Sequence, residues 1–315
     1  MTGAKVLAFG GYQPDRVVTN DDLAKLVDTS DEWIRARVGI ESRRIAADDE
    51  SVTDMAEAAG AKALAASGLA PSAIDLVIVA TCSPLVPMPS VAATTAYRLG
   101  IIAPGAFDLN AACAGFCYAM GTAAHAVMAG SARNVLVIGA EKMSSWVDWT
   151  DRSTCIIFAD GAGAAVVGPC ADDEPPGIGP VVWGSAGDMS DKITVTGRTG
   201  AMQQDGQAVF RWATTAIHPV AREACTRAGV TPADITAFVP HQANLRIVEA
   251  IAKKLGIPRD RVADDITHAG NTSSASIPLA LSRMAEQGRL QPGTPGLLIG
   301  FGAGLSYAAQ VITLP

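Results

Sequence analysis

The 315-residue sequence contains no apolar run that approaches the roughly 20 residues a membrane-spanning helix requires. Its apolar runs, such as Val77–Ala80 and Val135–Ile138, are short. The N-terminus also lacks a long apolar segment followed by a small-residue cleavage site, so we expect an opening strand there and a cytoplasmic location. The sequence therefore predicts a protein that does not enter a membrane.

Basic residues do not outnumber acidic ones, since the formal net charge is -7 at pH 7. A protein gains affinity for nucleic acid when a basic face releases counterions from the phosphates. The acidic net charge therefore argues against nucleic acid as a partner. No CxxC pair and no metal-finger spacing occurs among the cysteines, so we expect reduced thiols and no metal site. These cysteines are Cys82, Cys113, Cys117, Cys155, Cys170 and Cys225.

The sequence does have buried-strand patterns that alternate with Ala-rich helical stretches. The predicted strands are Asp75–Thr81, Asn134–Gly139, Ala237–Pro240 and Gly296–Gly300. Predicted helices cover Ser51–Ala66, which opens with a capping-box pattern and stops at Gly68, and Ala114–Ala129. This alternation predicts an α/β protein with layered helices and sheets.

An internal repeat relates the two parts of the chain at one constant offset of 161 positions. The matched pairs are Pro71 with Pro232, Asn110 with Asn271, Cys113 with Ser274, and Gly139 with Gly300. We therefore predict two similar α/β halves, residues 1–168 and 169–315, with Cys113 and the Asn271 loop at corresponding strand-to-helix turns.

Cys113 is the strongest candidate for a nucleophile. It lies at a predicted bend before a helix, where the positive end of the helix dipole favours a thiolate below the free pKa of about 8.5. The other five cysteines have the pattern of ordinary buried residues.

His241 and Asn271 complete a candidate site. His241 directly follows an apolar strand, where an imidazole can donate to an anion or accept a proton. Asn271 supplies a neutral donor at the turn that corresponds to that of Cys113. Each alone has an ordinary structural explanation, so the prediction depends on their co-occurrence; His125, His218 and His268 are predicted to be structural.

The sequence resembles the β-ketoacyl-acyl-carrier-protein synthase III family, the initiating condensing enzymes of the thiolase-like superfamily. The resemblance covers nearly the whole chain, from Gly10–Pro14 and Thr29–Ile40 to Gly300–Gly304. Three motifs follow one another in family order: Ala-Ala-Cys113-Ala-Gly-Phe, Pro-His241-Gln-Ala-Asn and Gly-Asn271-Thr-Ser. It implies a thiolase-like α/β fold in which two duplicated halves form a five-layered αβαβα arrangement.

The resemblance also implies an activity. Cys113 would carry the acyl group of a short acyl-CoA, and His241 with Asn271 would stabilise the enolate that malonyl-acyl-carrier-protein forms as it loses carbon dioxide. The backbone N–H groups of Cys113 and Ala303 would form a second oxyanion site. The family resemblance further implies a homodimer, acyl carrier protein as partner, and no cofactor.

Further residues match family positions for binding. The coenzyme A contacts would be Trp33, Arg37, Arg152 and Asn244, with the adenine between the Trp33 indole and Arg152. The acyl tunnel would involve Ile157, Phe210 and, across the dimer, Met88. The carrier protein would dock on Arg211, Arg246, Lys253 and Lys254.

Two departures and several alternatives stay open. The segment between Gly187 and Gly206 is shorter than the family leads us to expect, and Met88 does not define the size of the primer. The same three residues would serve a relative that primes a polyketide pathway or transfers acyl groups without elongation, and a silent scaffold is a further class. Nucleotide binding is disfavoured, because the glycine cluster within Asp160–Gly168 lacks the third glycine of GxGxxG.

Overall fold

The computed structural model describes residues 3–197 and 199–315. In chain order the strands are β1 (Ala4–Tyr12), β2 (Val17–Thr19), β3 (Ser42–Arg44), β4 (Leu76–Ala80), β5 (Gly105–Leu109), β6 (Val135–Lys142), β7 (Asp160–Pro169), β8 (Val182–Ser185), β9 (Ile193–Val195), β10 (Met202–Gln204), β11 (Ala237–Pro240), β12 (Pro295–Gly302) and β13 (Ser306–Thr313). The helices are α1 (Asn20–Leu23), α2 (Asp31–Val38), α3 (Val52–Ser67), α4 (Val91–Arg98), α5 (Gly115–Met128), α6 (Arg152–Cys155), α7 (Gly206–Arg227), α8 (Leu245–Leu255), α9 (Ile266–Ala269) and α10 (Ser276–Glu286).

Two main sheets draw their strands from different parts of the chain. The first sheet has the order β1-β7-β6-β4-β5, and the second has the order β11-β12-β13-β8. Strand β4 runs parallel to β5 and β6, and β11 runs parallel to β12, whereas the remaining neighbours are antiparallel. We propose that the predicted halves, residues 1–168 and 169–315, correspond to these two sheets with their helices.

Helices fill three layers around the two sheets. Helices α3 and α4 pack on the outer face of the first sheet, and α7 and α8 pack on the outer face of the second. Helices α5 and α10 lie between the sheets in one apolar cluster that includes Phe116, Ile277 and Leu298. The thiolase-like αβαβα layering expected from the family resemblance is therefore confirmed, and the central helices bring the two halves together.

Local sequence signals account for much of this architecture. Helix α3 begins after Ser51, whose hydroxyl accepts from the Asp54 N–H while the Asp54 carboxylate accepts from the Ser51 N–H, and it ends at Gly68 in a left-handed conformation. The four predicted strands are present as β4, β6, β11 and β12. The glycine-rich segment after Asp160 forms strand β7.

The repeat offset reappears in the backbone. Ala112 and Ser273 lie 161 positions apart, and both have a positive φ. The angle is 45° for Ala112 and 51° for Ser273. A Cβ on Gly139 would lie 2.5 Å from the Ser274 carbonyl oxygen, and one on Gly300 would lie 2.8 Å from the Ala114 Cα. Each glycine thus makes room for the strand-to-helix turn of the other half.

Among the residues described, no helix is both long enough and apolar enough to cross a bilayer.

Candidate active site

Cys113 lies in the single helical turn between β5 and α5, with its side chain partly buried. The sulfur is hydrogen-bonded by the backbone N–H groups of Ala303 and of Cys113 itself, and by the Ser273 side chain. The two backbone donors are those predicted for an oxyanion site. Their direction towards the sulfur is compatible with an anion that forms on an acyl group attached there.

The protonation state of Cys113 differs from the sequence-based expectation. Burial raises the pKa of the thiol to about 11, and the negative charge of Glu141 raises it further, while the hydrogen bonds from Ser273 and Ala303 lower it. The prediction that the helix N-terminus favours the thiolate is therefore wrong for the free site, because loss of hydration outweighs the donors around the sulfur. A proton acceptor is needed before this thiol can attack.

His241 follows β11 and has only 1% of its surface exposed. Its Nδ1 lies 2.7 Å from the Ser276 Oγ, and the ring packs edge-on against Phe301 at 5.4 Å between centroids. When the Ser276 hydroxyl donates to Nδ1, the ring proton resides on Nε2. Nε2–H is then a fixed neutral donor.

Burial lowers the pKa of His241 to about 3 from 6.5, so the ring is neutral at physiological pH. The unfolded chain binds a proton below pH 6.5 that the folded protein does not bind, so acid destabilises the fold. We expect the free energy of unfolding to fall by about 2 kcal/mol more in the wild type than in His241→Ala between about pH 7 and about pH 5. Urea unfolding at fixed protein concentration measures this difference, and equal pH slopes would contradict a buried neutral imidazole.

Asn271 is 5% exposed, and both its backbone N–H and its backbone carbonyl are hydrogen-bonded. Its N–H donates to the Ile157 carbonyl at 2.9 Å, and its own carbonyl accepts from the Ala159 N–H at 2.9 Å. The side-chain Oδ1 accepts from the Ser273 N–H at 2.8 Å. This contact fixes the amide orientation and leaves Nδ2 as the donor that can serve a ligand.

Cys113, His241 and Asn271 line one cavity of about 980 Å³. Ile157 and Phe210, predicted for the acyl tunnel, also line it. Met88 is 80% exposed and is not among the residues that line this cavity, although its neighbours Val86 and Pro87 contribute to the lining.

The segment 187–206 forms one wall of this cavity. It contains β9 and β10, which pair as an antiparallel hairpin, and Ile193, Val195 and Met202 face the cavity. Arg198, which belongs to the same segment, lies outside the described residues. The chain therefore closes this side with a short hairpin.

The predicted coenzyme A residues surround the outer part of the cavity, but the predicted adenine slot is closed. Trp33, Arg37 and Asn244 line the cavity, whereas Arg152 lies over the Trp33 ring at 4.7 Å and donates to the Asp28 carbonyl. A base between indole and guanidinium needs about 7 Å, two stacking distances of roughly 3.5 Å. Arg152 must therefore move before an adenine can enter between them.

The four predicted docking cations are exposed. Arg211 and Arg246 line the cavity, and Arg246 also stacks over Phe210 at 5.3 Å. Lys253 and Lys254 lie on the last turn of α8, and the Lys254 ammonium donates to the Thr214 carbonyl. Positive charge thus extends from the cavity along α8.

Sequence reasoning missed four residues of the site: Glu141, Ser273, Ser276 and Cys82. Cys82 lines the cavity and its thiol donates to Glu141, so its classification as an ordinary buried cysteine is wrong. Glu141 could have been noticed as a carboxylate at the end of an otherwise apolar strand. Nothing in the sequence marks the two serines, because their contacts join residues more than 30 positions apart.

A thiol, a neutral imidazole and an amide that share one cavity between two α/β halves define an acyl-transferring condensing enzyme of the thiolase-like fold. Comparison with known proteins agrees: residues 107–187 match the 3-oxoacyl-[acyl-carrier-protein] synthase III family, and residues 225–314 match its C-terminal part. The chain belongs to the β-ketoacyl-[acyl-carrier-protein] synthase III family.

Similar proteins cover the full chain. The protein named beta-ketoacyl-[acyl-carrier-protein] synthase III 4 of Streptomyces coelicolor is 56% identical over 99% of this chain and 99% of its own length. The solved structure of a priming β-ketosynthase from a polyketide biosynthetic pathway has a TM-score of 0.96 at 46% identity and covers 99% of this chain and 96% of that one. The 3-oxoacyl-[acyl-carrier-protein] synthase III of Aquifex aeolicus has a TM-score of 0.94 at 41% identity, covering 99% and 100%.

Proposed function

We propose that the protein joins a short acyl group from acyl-CoA to malonyl-acyl-carrier-protein by decarboxylative Claisen condensation, giving a 3-ketoacyl-acyl-carrier-protein and initiating fatty-acid synthesis. The observation that carries this proposal is the convergence of Cys113, His241 and Asn271 on one cavity. The chemistry draws on side chains and backbone groups and needs no cofactor.

In the first step, the Cys113 sulfur attacks the acyl carbonyl carbon of the acyl-CoA. The carbonyl oxygen becomes an oxyanion that the N–H groups of Cys113 and Ala303 stabilise, and the C–S bond to coenzyme A then breaks. The Cys113 S–H bond breaks during the attack, and that proton ends on the departing coenzyme A thiolate, which leaves as the free thiol. The acyl group now resides on Cys113 as a thioester.

In the second step, malonyl-acyl-carrier-protein loses carbon dioxide, and the electron pair of the broken C–C bond develops as an enolate on the thioester oxygen. The Nε2–H of His241 and the Nδ2–H of Asn271 are neutral, buried donors for that oxygen. The enolate carbon attacks the acyl-enzyme, and Cys113 leaves as a thiolate.

The substrate carriers fit the outer part of the cavity. Trp33, Arg37, Arg152 and Asn244 offer an aromatic face, two cations and a polar donor suited to coenzyme A, with Arg152 moving aside for the adenine. Arg211, Arg246, Lys253 and Lys254 would meet the acidic carrier protein.

A second copy of the chain is the proposed partner at β5. This strand lies at the edge of the first sheet, and an open edge with apolar neighbours favours pairing. Exposed apolar side chains around it include Leu85, Val86, Met88, Tyr97, Ile102 and Phe107. In such a homodimer Met88 can reach the partner's cavity, which gives this exposed methionine a role in primer choice.

A related activity is the second candidate: priming a polyketide pathway, or acyl transfer without elongation. It is favoured by the likeness to the priming β-ketosynthase. The two candidates share the acyl-enzyme and differ in the carrier protein and product.

A panel of acyl-CoAs of increasing length, incubated with malonyl-loaded carrier proteins of fatty-acid and polyketide type, separates these activities. We expect a 3-ketoacyl product on the fatty-acid carrier, with its mass showing loss of carbon dioxide. An acyl-carrier product without the two added carbons would indicate non-elongating transfer, and preference for the polyketide carrier would indicate priming. Absence of any acyl-enzyme across the panel would overturn the proposal.

A further inference from the structure

Glu141 is a fully buried carboxylate at the end of β6, and its hydrogen bonds connect two distant parts of the chain. Its Oε1 accepts from the Ser273 hydroxyl at 3.1 Å and from the Ser274 hydroxyl at 2.8 Å. The segment Thr81–Ser83, which follows β4, donates to the same carboxylate through backbone N–H groups and side chains. Glu141 therefore joins the end of β4 to the turn before α10.

Hydrogen bonds alone hold this carboxylate. Within residues 3–197 and 199–315, no Lys, Arg or His lies within ion-pair distance of Glu141. The adjacent Lys142 directs its ammonium to the carbonyls of Ala47 and Glu50 instead. A buried charge without an ion pair is costly to keep in a fold, which suggests that its contacts have a use.

Ser273 connects Glu141 to the proposed donor Asn271. Its φ is 51°, a left-handed conformation that a residue other than glycine keeps only when its surroundings hold it there. Two contacts hold Ser273: its hydroxyl donates to Glu141, and its N–H donates to the Asn271 Oδ1 at 2.8 Å. The second contact engages Oδ1 and leaves Nδ2 for a ligand. The orientation of the Asn271 amide therefore depends on Ser273, and Ser273 is anchored on Glu141.

The corresponding turn of the other half is built differently. There the Ala112 N–H donates to the Asn110 Oδ1 at 3.1 Å, with a φ of 45°, but alanine has no hydroxyl to anchor. The position 161 residues after Glu141 is Gly302, where a Cβ would lie 2.8 Å from the Cys113 sulfur. Strand β12 thus leaves space beside the nucleophile, whereas β6 places a carboxylate beside its turn. The hydroxyl and its carboxylate partner occur in the half that supplies the proposed enolate donor.

On the basis of the proposed function, we propose that Glu141 is a positioning residue for decarboxylation. By accepting from the Ser273 hydroxyl, it holds the turn whose N–H fixes the Asn271 amide, and so keeps the Nδ2–H in place for the enolate oxygen. Glu141 is not among the residues that line the cavity, so it acts through Ser273 and not on the substrate.

The two chemical steps should respond differently to the loss of Glu141. Burial raises the pKa of the Cys113 thiol to about 11, and the Glu141 charge contributes to that rise. Removal of the charge does not make the thiolate harder to form, so acylation should be as fast as in the wild type or faster. Decarboxylation should slow, because the Asn271 amide is no longer held. A general loosening of the site would slow both steps.

The test measures single-turnover acylation by acyl-CoA and, separately, release of labelled carbon dioxide from malonyl-acyl-carrier-protein. We expect Glu141→Ala to slow decarboxylation by about 10- to 100-fold, which reaches the lower end of the cost of losing an oxyanion donor outright. Acylation of Cys113 should not slow in this variant.

Glu141→Gln is the conservative variant. Its amide oxygen can accept from the backbone N–H groups of Thr81–Ser83, while its NH₂ donates to the Ser273 hydroxyl, which can accept as well as donate. The link to Ser273 then persists with its direction reversed. Decarboxylation should return to within about threefold of wild type, the size of one weakened hydrogen bond.

Ser274→Ala is the matched control, because this serine donates to Glu141 and to the Ala80 carbonyl but does not hold the Asn271 amide. Both rates should stay within about threefold of wild type. The double variant Glu141→Ala/Asn271→Asp tests the route of the effect. If Glu141 acts through Asn271, adding Glu141→Ala to Asn271→Asp should slow decarboxylation by less than about threefold more.

The side-chain amide signal of Asn271 provides a readout that does not depend on turnover. The chain has five asparagines, so isotope-labelled asparagine gives a simple NMR spectrum, and the signal lost in Asn271→Asp identifies this residue. We expect the signal to shift or broaden in Glu141→Ala and to keep its position in Ser274→Ala. If Glu141→Ala does not fold, Ser273→Ala replaces it in both measurements, since alanine occupies the corresponding turn at Ala112.

Wild-type decarboxylation in Glu141→Ala, an equal loss of both rates, or a Glu141→Gln variant as slow as Glu141→Ala would overturn the positioning role. An unchanged Asn271 signal in Glu141→Ala would do the same. The signal also keeps this outcome separate from the proposed function. A wild type that never decarboxylates malonyl-acyl-carrier-protein would contradict the function, and the positioning role would still be judged by the Asn271 signal.

Discussion

Replacing Cys113 by alanine is expected to abolish transfer of label from a radiolabelled short acyl-CoA to the protein. The variant loses the sulfur on which the acyl thioester forms, and no neighbouring group replaces it. Cys82 also lines the cavity, but burial and the Glu141 charge hold the pKa of its thiol well above the usual value. Scintillation counting and the mass of the intact protein measure the label.

Cys82→Ala is the matched control, because it removes the other thiol of the cavity. We expect it to become labelled on Cys113. Label retained in Cys113→Ala would refute the assignment of the nucleophile. If the label is also lost in Cys82→Ala, the acyl group is carried by Cys82 instead.

Loss of either neutral donor is expected to separate the two chemical steps. His241→Ala and Asn271→Asp should still be acylated on Cys113, but should decarboxylate malonyl-acyl-carrier-protein about 100- to 1000-fold more slowly, the usual cost of an oxyanion donor. Asn271→Asp keeps the acceptor that holds the Ser273 N–H and replaces the Nδ2 donor by an oxygen that repels the enolate. Release of labelled carbon dioxide measures this step.

His241→Gln provides a refinement, since a glutamine amide can place a neutral N–H near the position of Nε2. Partial recovery relative to His241→Ala is expected if the imidazole acts as a donor, and none if it acts as a base. Retained acylation shows that these variants are folded. Decarboxylation at wild-type rates in both His241→Ala and Asn271→Asp would remove the two residues from the mechanism.

Much of the secondary structure follows from local signals. The capping box at Ser51, the stop at Gly68 and the apolar runs of β4, β6, β11 and β12 depend on residues close in sequence, and all are present in the fold. The constant 161-residue offset likewise predicted corresponding turns, and the matching backbone of Ala112 and Ser273 agrees with it.

The sequence by itself thus determined the α/β layering and the three side chains that converge on the cavity, because caps, strand patterns and motif order are properties of short segments. Only the tertiary structure decided the protonation state of Cys113 and the contacts between distant side chains of the site. The raised pKa of Cys113, the contact of Ser273 with Glu141 across 132 positions, and the closure of Arg152 over Trp33 all depend on burial and on partners distant in sequence. Hydration and Coulomb interactions are set by distances in three dimensions, which no local pattern records.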